Sequence, residues 1–367
     1  MKIEPFGVEQ WMNAWETRCE LNLAETCVHS LTIGELLEIA GRTGTLEEEL
    51  AGLPLTYGPI TGSERLRGLV AGLHERRTAE NVLICHGTIG ANQLVYQALV
   101  GPGDKVVSIT PTYQQHTAIP EALGAELVEL QLRPEDGWLP DLDRLREAMA
   151  GGARLLTFTN PNNPTGSLMP PEMLDEIVAI AREADAWILS DEVYRGAEPG
   201  PSVADLYEKG IATGGMSKIF GLAGLRLGWI VAPTEILRLA ELHRDYSTIS
   251  VGRVDDHLAS LALEHRQALI DRARRVTRGR RAQMADWIEA TPRVGWVPPQ
   301  AGTVALITYP GETPSRPLAE RLLAETGVLL TPGSVMGVEG TLRVGYAQPE
   351  EVMTEGLARL GPVLSAL

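Results

Sequence analysis

Between Glu64 and Val231 the chain repeats one pattern: short apolar segments without clean polar alternation, separated by helical stretches. "NVLICHG", "DKVVSIT", "AELVELQL", "ARLLTFTN" and "AWILSDEVY" read as strands, and "SERLRGLVAGLHERR", "ANQLVYQALV" and "PPEMLDEIVAIAREA" as helices. Strands of this kind suit a sheet covered on both faces. Right-handed βαβ crossovers then give a mostly parallel, doubly wound sheet, so the fold class is α/β. After about residue 250 the texture changes. Long helical stretches ("RVDDHLASLALEHRQALIDRARRV") precede "RVGWVPPQAGTVALITYP" and "TLRVGYA", which read as strands, and a final helix closes a small α+β domain.

The expected organisation is an N-terminal segment over 1–40, a large domain over 41–255 and a small domain over 256–367. The N-terminal segment, in which Thr32 and Glu35 fit a capping box, is expected to pack with the small domain and the active site. A net charge of −16 argues against nucleic acid or an anionic membrane as partner. Cys19, Cys27 and Cys85 suggest neither a disulfide framework nor a zinc site, and no metal is expected. "MKIEPFGVEQ" lacks the apolar run of a signal peptide, and no stretch reaches membrane-spanning length, so a cytoplasmic location is expected.

Polar residues gather where the strands end, which is where open α/β sheets bind ligands. In "ICHGTIGANQL" a glycine turn joins strand to helix, and backbone N–H groups at Gly87, Thr88 and Ile89 could cradle a phosphate. "TPTY" sets Tyr113 just past a strand, where a ring could stack on a flat heteroaromatic. "TNPNNPTG" has two Asn-Pro steps that suit turns, with a cis bond as one option, and aim Asn163 inward. "LSDEVY" places Asp191 at the end of the most apolar strand, where a carboxylate needs a partner, and Tyr194 one turn on. "MSKIFGLAGLRLGW" puts two cations, Lys218 and Arg226, among small and apolar residues.

In this order and spacing, "NPNNPTG", "SDEVY", "SKIFGLAGLRLGW" and "LRVGYA" resemble the class I/II aminotransferases, fold-type I enzymes that use pyridoxal 5′-phosphate. The resemblance runs from about Tyr57 to the C-terminus. It implies that Lys218 holds the cofactor as a Schiff base and then serves as the base at Cα, with neighbours that keep its pKa low. It also implies that Asp191 pairs with the ring nitrogen, that Asn163 and Tyr194 bond the phenolic oxygen, and that Tyr113 stacks on the ring. Arg226, with Gly87, Thr88 and Ile89, would neutralise the phosphate. Tyr57 would reach a phosphate across a homodimer interface, and Arg343 would grip the substrate carboxylate in bidentate fashion.

The sequence departs from the family in three places. Many relatives carry a Ser or Thr three residues before the lysine; here the residue is Gly215, which leaves Thr88, Arg226 and Tyr57, with Ser217 in reserve, to hold the phosphate. "PQAGTVALI" lacks a bulky aromatic after its glycine, so the substrate wall is expected to be more open. The covering segment reads "LNLAETCVHSLTIGELL", and with "VEQWMNAWE" and "RDYSTIS" it resembles a cyclising branch of the family that acts on a hydroxylated arginine. Glu25 and His29 are then candidates to meet the distal end of the substrate. The expected function is transamination between an α-amino acid and a 2-oxo acid; elimination and ring closure on an arginine-derived amino acid is the alternative.

Overall fold

The computed structural model describes residues 2–367. Its large sheet has seven strands: β1 (Val82–His86), β2 (Lys105–Thr110), β3 (Glu126–Gln131), β4 (Leu155–Thr159), β5 (Trp187–Asp191), β6 (Gly210–Gly215) and β7 (Leu227–Val231). Their spatial order is β1-β7-β6-β5-β4-β2-β3. All neighbours are parallel except around β7, which runs antiparallel to both β1 and β6. A short connection of about ten residues joins β6 to β7, too short to carry a helical crossover, so the chain turns back beside itself.

Covering both faces explains the continuous apolar strands. Val107, Leu156 and Ile188 point to one side, into a core shared with the helices Leu142–Met149 and Pro171–Glu183. Their neighbours Val106, Leu155 and Leu189 point to the other, against the helices Gly87–Leu99 and Thr234–Arg244. Each such side chain is nearly or fully buried and contributes roughly 1.5–3 kcal/mol of transfer free energy.

The small domain holds a four-stranded antiparallel sheet: β8 (Gly295–Trp296), β9 (Val304–Thr308), β10 (Thr331–Pro332) and β11 (Thr341–Gly345), in the order β10-β11-β9-β8. Its core also takes in Trp11, Leu23 and Ala24 from the N-terminal segment. The helical stretch after residue 250 is broken at His265 into Arg253–Glu264 and Arg266–Ala290. Ala259, Ala262 and Leu269 pack with the large domain, whereas Met284 packs with the small one, so the 25-residue helix carries the chain from one core to the other.

The N-terminal segment begins with a helix, Gly7–Trp15, whose Trp11 indole N–H donates to the Leu330 carbonyl at 2.9 Å. Leu21–Asn22 then pairs in parallel with Val328–Leu329. From there the chain threads between the domains: Val28 N–H donates to the Lys218 carbonyl and His29 N–H to that of Ala347, both at 2.9 Å. The capping box is present, with Glu35 N–H donating to Thr32 Oγ1 at 3.2 Å and Thr32 N–H to Glu35 Oε2 at 2.7 Å. Among the described residues no helix is long and apolar enough to cross a membrane.

Candidate active site

The C-terminal ends of β4 and β5 and the turn after β6 open into a cavity of about 310 Å³. Thr159, Asp191 and Lys218 line it on that side, with Thr88 and Ile89 from the first turn of the helix after β1. Glu9, Glu25, Thr26 and Cys27 of the N-terminal segment and Arg343 of β11 close it from the other.

Asp191 is held by three groups. Its Oδ1 accepts from the Val193 N–H at 3.1 Å, and its Oδ2 accepts from Asn92 Nδ2 at 2.9 Å and lies 3.4 Å from His116 Nε2. Asn92 is fixed in turn by Thr213 Oγ1, which donates to its Oδ1 at 2.6 Å. His116 is fully buried, with Nδ1 2.7 Å from the Tyr96 hydroxyl. Because a carboxylate only accepts, a proton on Nε2 serves Asp191 and leaves Nδ1 to accept from Tyr96. Asn92, His116 and Tyr96 were not singled out in the sequence. Asn92 stands five residues past Gly87 in the helix "GTIGANQL", and that spacing was the available clue.

Lys218 Nζ donates to Thr26 Oγ1 at 2.5 Å and lies 3.7 Å from Cys27 Sγ. Burial works to lower its pKa, but Cys27, Tyr194 and Glu25 outweigh burial and the net direction is upward. The sequence reading expected neighbours that keep it low. Of the three, Glu25 keeps its own pKa below the usual range despite burial, because Lys218 and the Cys27 and Thr26 N–H groups favour its anion. Cys27 itself is pushed up to about 11 by burial, so at neutral pH Glu25 supplies the charge.

The phosphate-cradle residues converge. Gly87 has φ +66°, a conformation that favours glycine, and a Cβ there would stand 3.0 Å from Arg226 Nη2, so a side chain would press on the guanidinium. Arg226 is itself left-handed, at φ +48°, and anchors Nη1 on the Ala223 carbonyl at 3.0 Å. Thr88 Oγ1 is buried with no hydrogen-bond partner, as is Tyr194 Oη. Leaving such groups unpaired costs about 1–3 kcal/mol each, so both await an acceptor or donor from a ligand. A flat ring carrying an oxygen and a phosphate would supply both. The residues present fit the expected cofactor.

On the substrate side, Arg343 is 2% exposed. Nη1 donates to Asn163 Oδ1 at 3.1 Å, and Nη2 to the Ala24 carbonyl and Thr331 Oγ1, both at 3.2 Å; Nε has no partner. Asn163 precedes a cis peptide bond to Pro164. The Tyr113 ring is tilted against Phe6 with centroids 4.6 Å apart, and its hydroxyl donates to Glu9 Oε1 at 2.6 Å. Glu9 stands inside "VEQWMNAWE" but no role pointed to it in the sequence, and Phe6, which packs behind Tyr113, lies outside every quoted motif. Glu25 lines the cavity, its Oε1 accepting from the Thr26 and Cys27 N–H groups at 2.6 and 2.9 Å.

Two expected residues stand elsewhere. His29 does not line the cavity; it neighbours Arg272 and Glu35, and its carbonyl accepts from Arg272 Nη2 at 2.8 Å. Glu25 lines the cavity and His29 does not, so the two do not meet there. Tyr57 is 74% exposed and also lies outside this chain's cavity.

Residues 43–360 match the family model described as Aminotransferase class I and II. Capreomycidine synthase of Streptomyces vinaceus is 33% identical, across 97% of this chain and 93% of its own length. A PLP-dependent aminotransferase structure from Streptococcus suis 89-1591 superposes with a TM-score of 0.97 at 38% identity, covering 100% of this chain and 99% of that one. The PLP-dependent cyclase OrfR superposes at 0.91 with 26% identity, covering 100% and 98%. The chain therefore belongs to the class I and II aminotransferase family, has the fold-type I architecture, and uses pyridoxal phosphate.

Proposed function

We propose that this chain, as a member of the class I and II aminotransferases, moves the α-amino group of an amino acid onto a 2-oxo acid, with pyridoxal 5′-phosphate held at Lys218. The observation that carries this reading is the convergence of Lys218, Asp191 and Arg343 on one cavity. Bound there, the cofactor supplies an electron sink that lets the substrate's Cα–H bond break.

The chain's own residues divide the remaining work. Asp191, aimed by Asn92 and the Val193 N–H, would keep a proton on the ring nitrogen. Tyr194 and Asn163 would hydrogen-bond the phenolic oxygen, and Tyr113 would lie against the ring. Gly87, Thr88, Ile89 and Arg226 would hold the phosphate. Arg343 would present its fork to the substrate α-carboxylate, and Lys218 Nζ would carry the proton to and from Cα. Leu55, Tyr57 and Tyr246 are 88%, 74% and 95% exposed, and large apolar side chains left open in this way support a homodimer in which Tyr57 reaches the partner's phosphate.

A second reading, elimination and ring closure on an arginine-derived amino acid, is favoured by a specific observation. Glu9, Glu16 and Glu25 bring three carboxylates to the cavity from the N-terminal segment, outside the span of the family match. Capreomycidine synthase is similar across 97% of the chain, and carboxylates suit a guanidinium side chain. Single turnover of the holoenzyme with a panel of amino acids separates the readings. Conversion of the cofactor to its amine form with release of a 2-oxo acid means transamination. Ammonia or a cyclised product, with the starting cofactor form regenerated, means elimination.

A further inference from the structure

The turn that begins the helix Gly87–Leu99 rests directly on the backbones of β6 and β7. Gly215 pairs with Gly228 in the sheet, and a Cβ on Gly228 would stand 2.4 Å from the Gly87 carbonyl carbon and 2.5 Å from Thr88 N. A Cβ on Gly215 would stand 2.5 Å from Thr88 Oγ1 and 3.0 Å from the Leu227 carbonyl oxygen. Real Cβ atoms do not approach other heavy atoms at 2.5 Å, so the Thr88 hydroxyl fills the space in which a side chain at 215 would begin. That hydroxyl is buried and has no partner within the protein.

We infer that Thr88 and Gly215 form one reciprocal pair, in which the strand carries no side chain at 215 so that Thr88 Oγ1 can donate to the cofactor phosphate. This rests on the reading that pyridoxal 5′-phosphate binds in this cavity. Gly215 is then a positioning residue, required by what stands opposite it, because its strand conformation is one that any residue can adopt. Ser217, which lines the cavity two residues further on, has no part in the pair.

The test measures cofactor affinity, not turnover. Equilibrium dialysis of the apo-protein against pyridoxal 5′-phosphate and, separately, against pyridoxal reads the phosphate's contribution as a ratio of dissociation constants. Thr88→Val keeps the bulk and removes the donor; it is expected to weaken pyridoxal 5′-phosphate roughly tenfold or more and leave pyridoxal unchanged. Gly215→Ser alone is expected to weaken the phosphate form at least as much, by displacing Thr88. In the Thr88→Gly background the same Gly215→Ser change is expected to strengthen binding, because the strand hydroxyl now has room. Wild-type affinity for pyridoxal 5′-phosphate in Thr88→Val, equal losses for phosphate and non-phosphate forms, or additive losses in the double variant would each overturn the pairing. Should Gly215→Ser fail to fold, the smaller Gly215→Ala takes its place: by crowding Thr88 it is expected to weaken pyridoxal 5′-phosphate and leave pyridoxal unchanged, and wild-type affinity for the phosphate form would overturn the pairing. If the unaltered protein bound no pyridoxal 5′-phosphate, the cofactor reading itself would fail, which is a separate result.

Discussion

The two walls of the cavity are made differently. The cofactor wall stands on strand ends and a helix start: Asp191 closes β5, Asn92 lies in the helix after β1, and the Lys218 turn follows β6, all tied to one seven-stranded sheet. The substrate wall is a threaded segment whose longest regular pairing is Leu21–Asn22 against Val328–Leu329. Elsewhere it is stitched by single bonds, such as Leu31 N–H to the Gly221 carbonyl at 3.0 Å and Gly345 N–H to that of Leu23 at 2.7 Å. The first wall cannot change without disturbing the sheet. The second can exchange Glu9 or Glu25 while the sheet stays as it is. Contacts to the substrate can thereby vary while the strand-borne wall stays the same.

The largest effect is expected on the cofactor wall. On the proposed reading Lys218→Ala removes both the attachment point and the proton carrier, and turnover should fall by up to roughly 10⁴-fold. Borohydride treatment of the loaded variant should then leave no cofactor mass on the chain. A chain that still gained that mass would have its anchor elsewhere. Next comes the junction of the walls. If Arg343 holds the substrate carboxylate as proposed, Arg343→Gln should cost about 3 kcal/mol, roughly 100-fold in kcat/KM, with cofactor affinity little changed. Steady-state kinetics beside cofactor titration would show both; a matching loss of cofactor affinity would mean that the walls are not separable.

Legibility followed the same division. The strands, the phosphate turn, Asp191, Lys218 and Arg226 lay within short motifs whose apolar period and glycine placement are local properties. The antiparallel β7 was not legible as such, because its apolar pattern is the same in either direction. The support behind Asp191 escaped because His116 and Tyr96 are 20 residues apart and meet only after the sheet forms. Glu9 reaches Tyr113 across 104 residues, a contact that no window of sequence contains. His29 stands away from the cavity, its N–H on the Ala347 carbonyl and its own carbonyl on Arg272, contacts across more than 200 residues that a four-residue spacing from Glu25 does not reveal.

Asn92→Ala probes how far the sheet itself supports the chemistry. It removes a hydrogen bond of 2.9 Å to Asp191 and unties Thr213 as well. Hydrogen bonds to a charged group contribute about 2 kcal/mol, so the cofactor should dissociate roughly 30-fold more readily. Fluorescence titration with pyridoxal 5′-phosphate would read this. KM for the amino acid should stay within about twofold once the enzyme is saturated with cofactor. An effect on KM and none on cofactor binding would assign Asn92 to the opposite wall.

The smallest effect is expected where the walls touch electrically. Glu25→Gln keeps an oxygen able to accept from the Thr26 and Cys27 N–H groups and removes only the charge. Burial already opposes the Lys218 ammonium, and Glu25 is one of the groups that reverse this and raise its pKa. Without the anion the ammonium loses support, the pKa falls, and more neutral amine is present at any given pH. Cofactor attachment needs that neutral amine. Stopped-flow uptake of pyridoxal 5′-phosphate should therefore quicken by about tenfold or less near neutral pH, with its pH profile displaced to lower pH. The same variant should lose affinity for a guanidinium-bearing amino acid and leave a neutral one nearly unaffected. An unmoved pH profile would mean that the Glu25 charge is spent on the backbone N–H groups beside it. In that case the substrate wall would act on the lysine through shape alone.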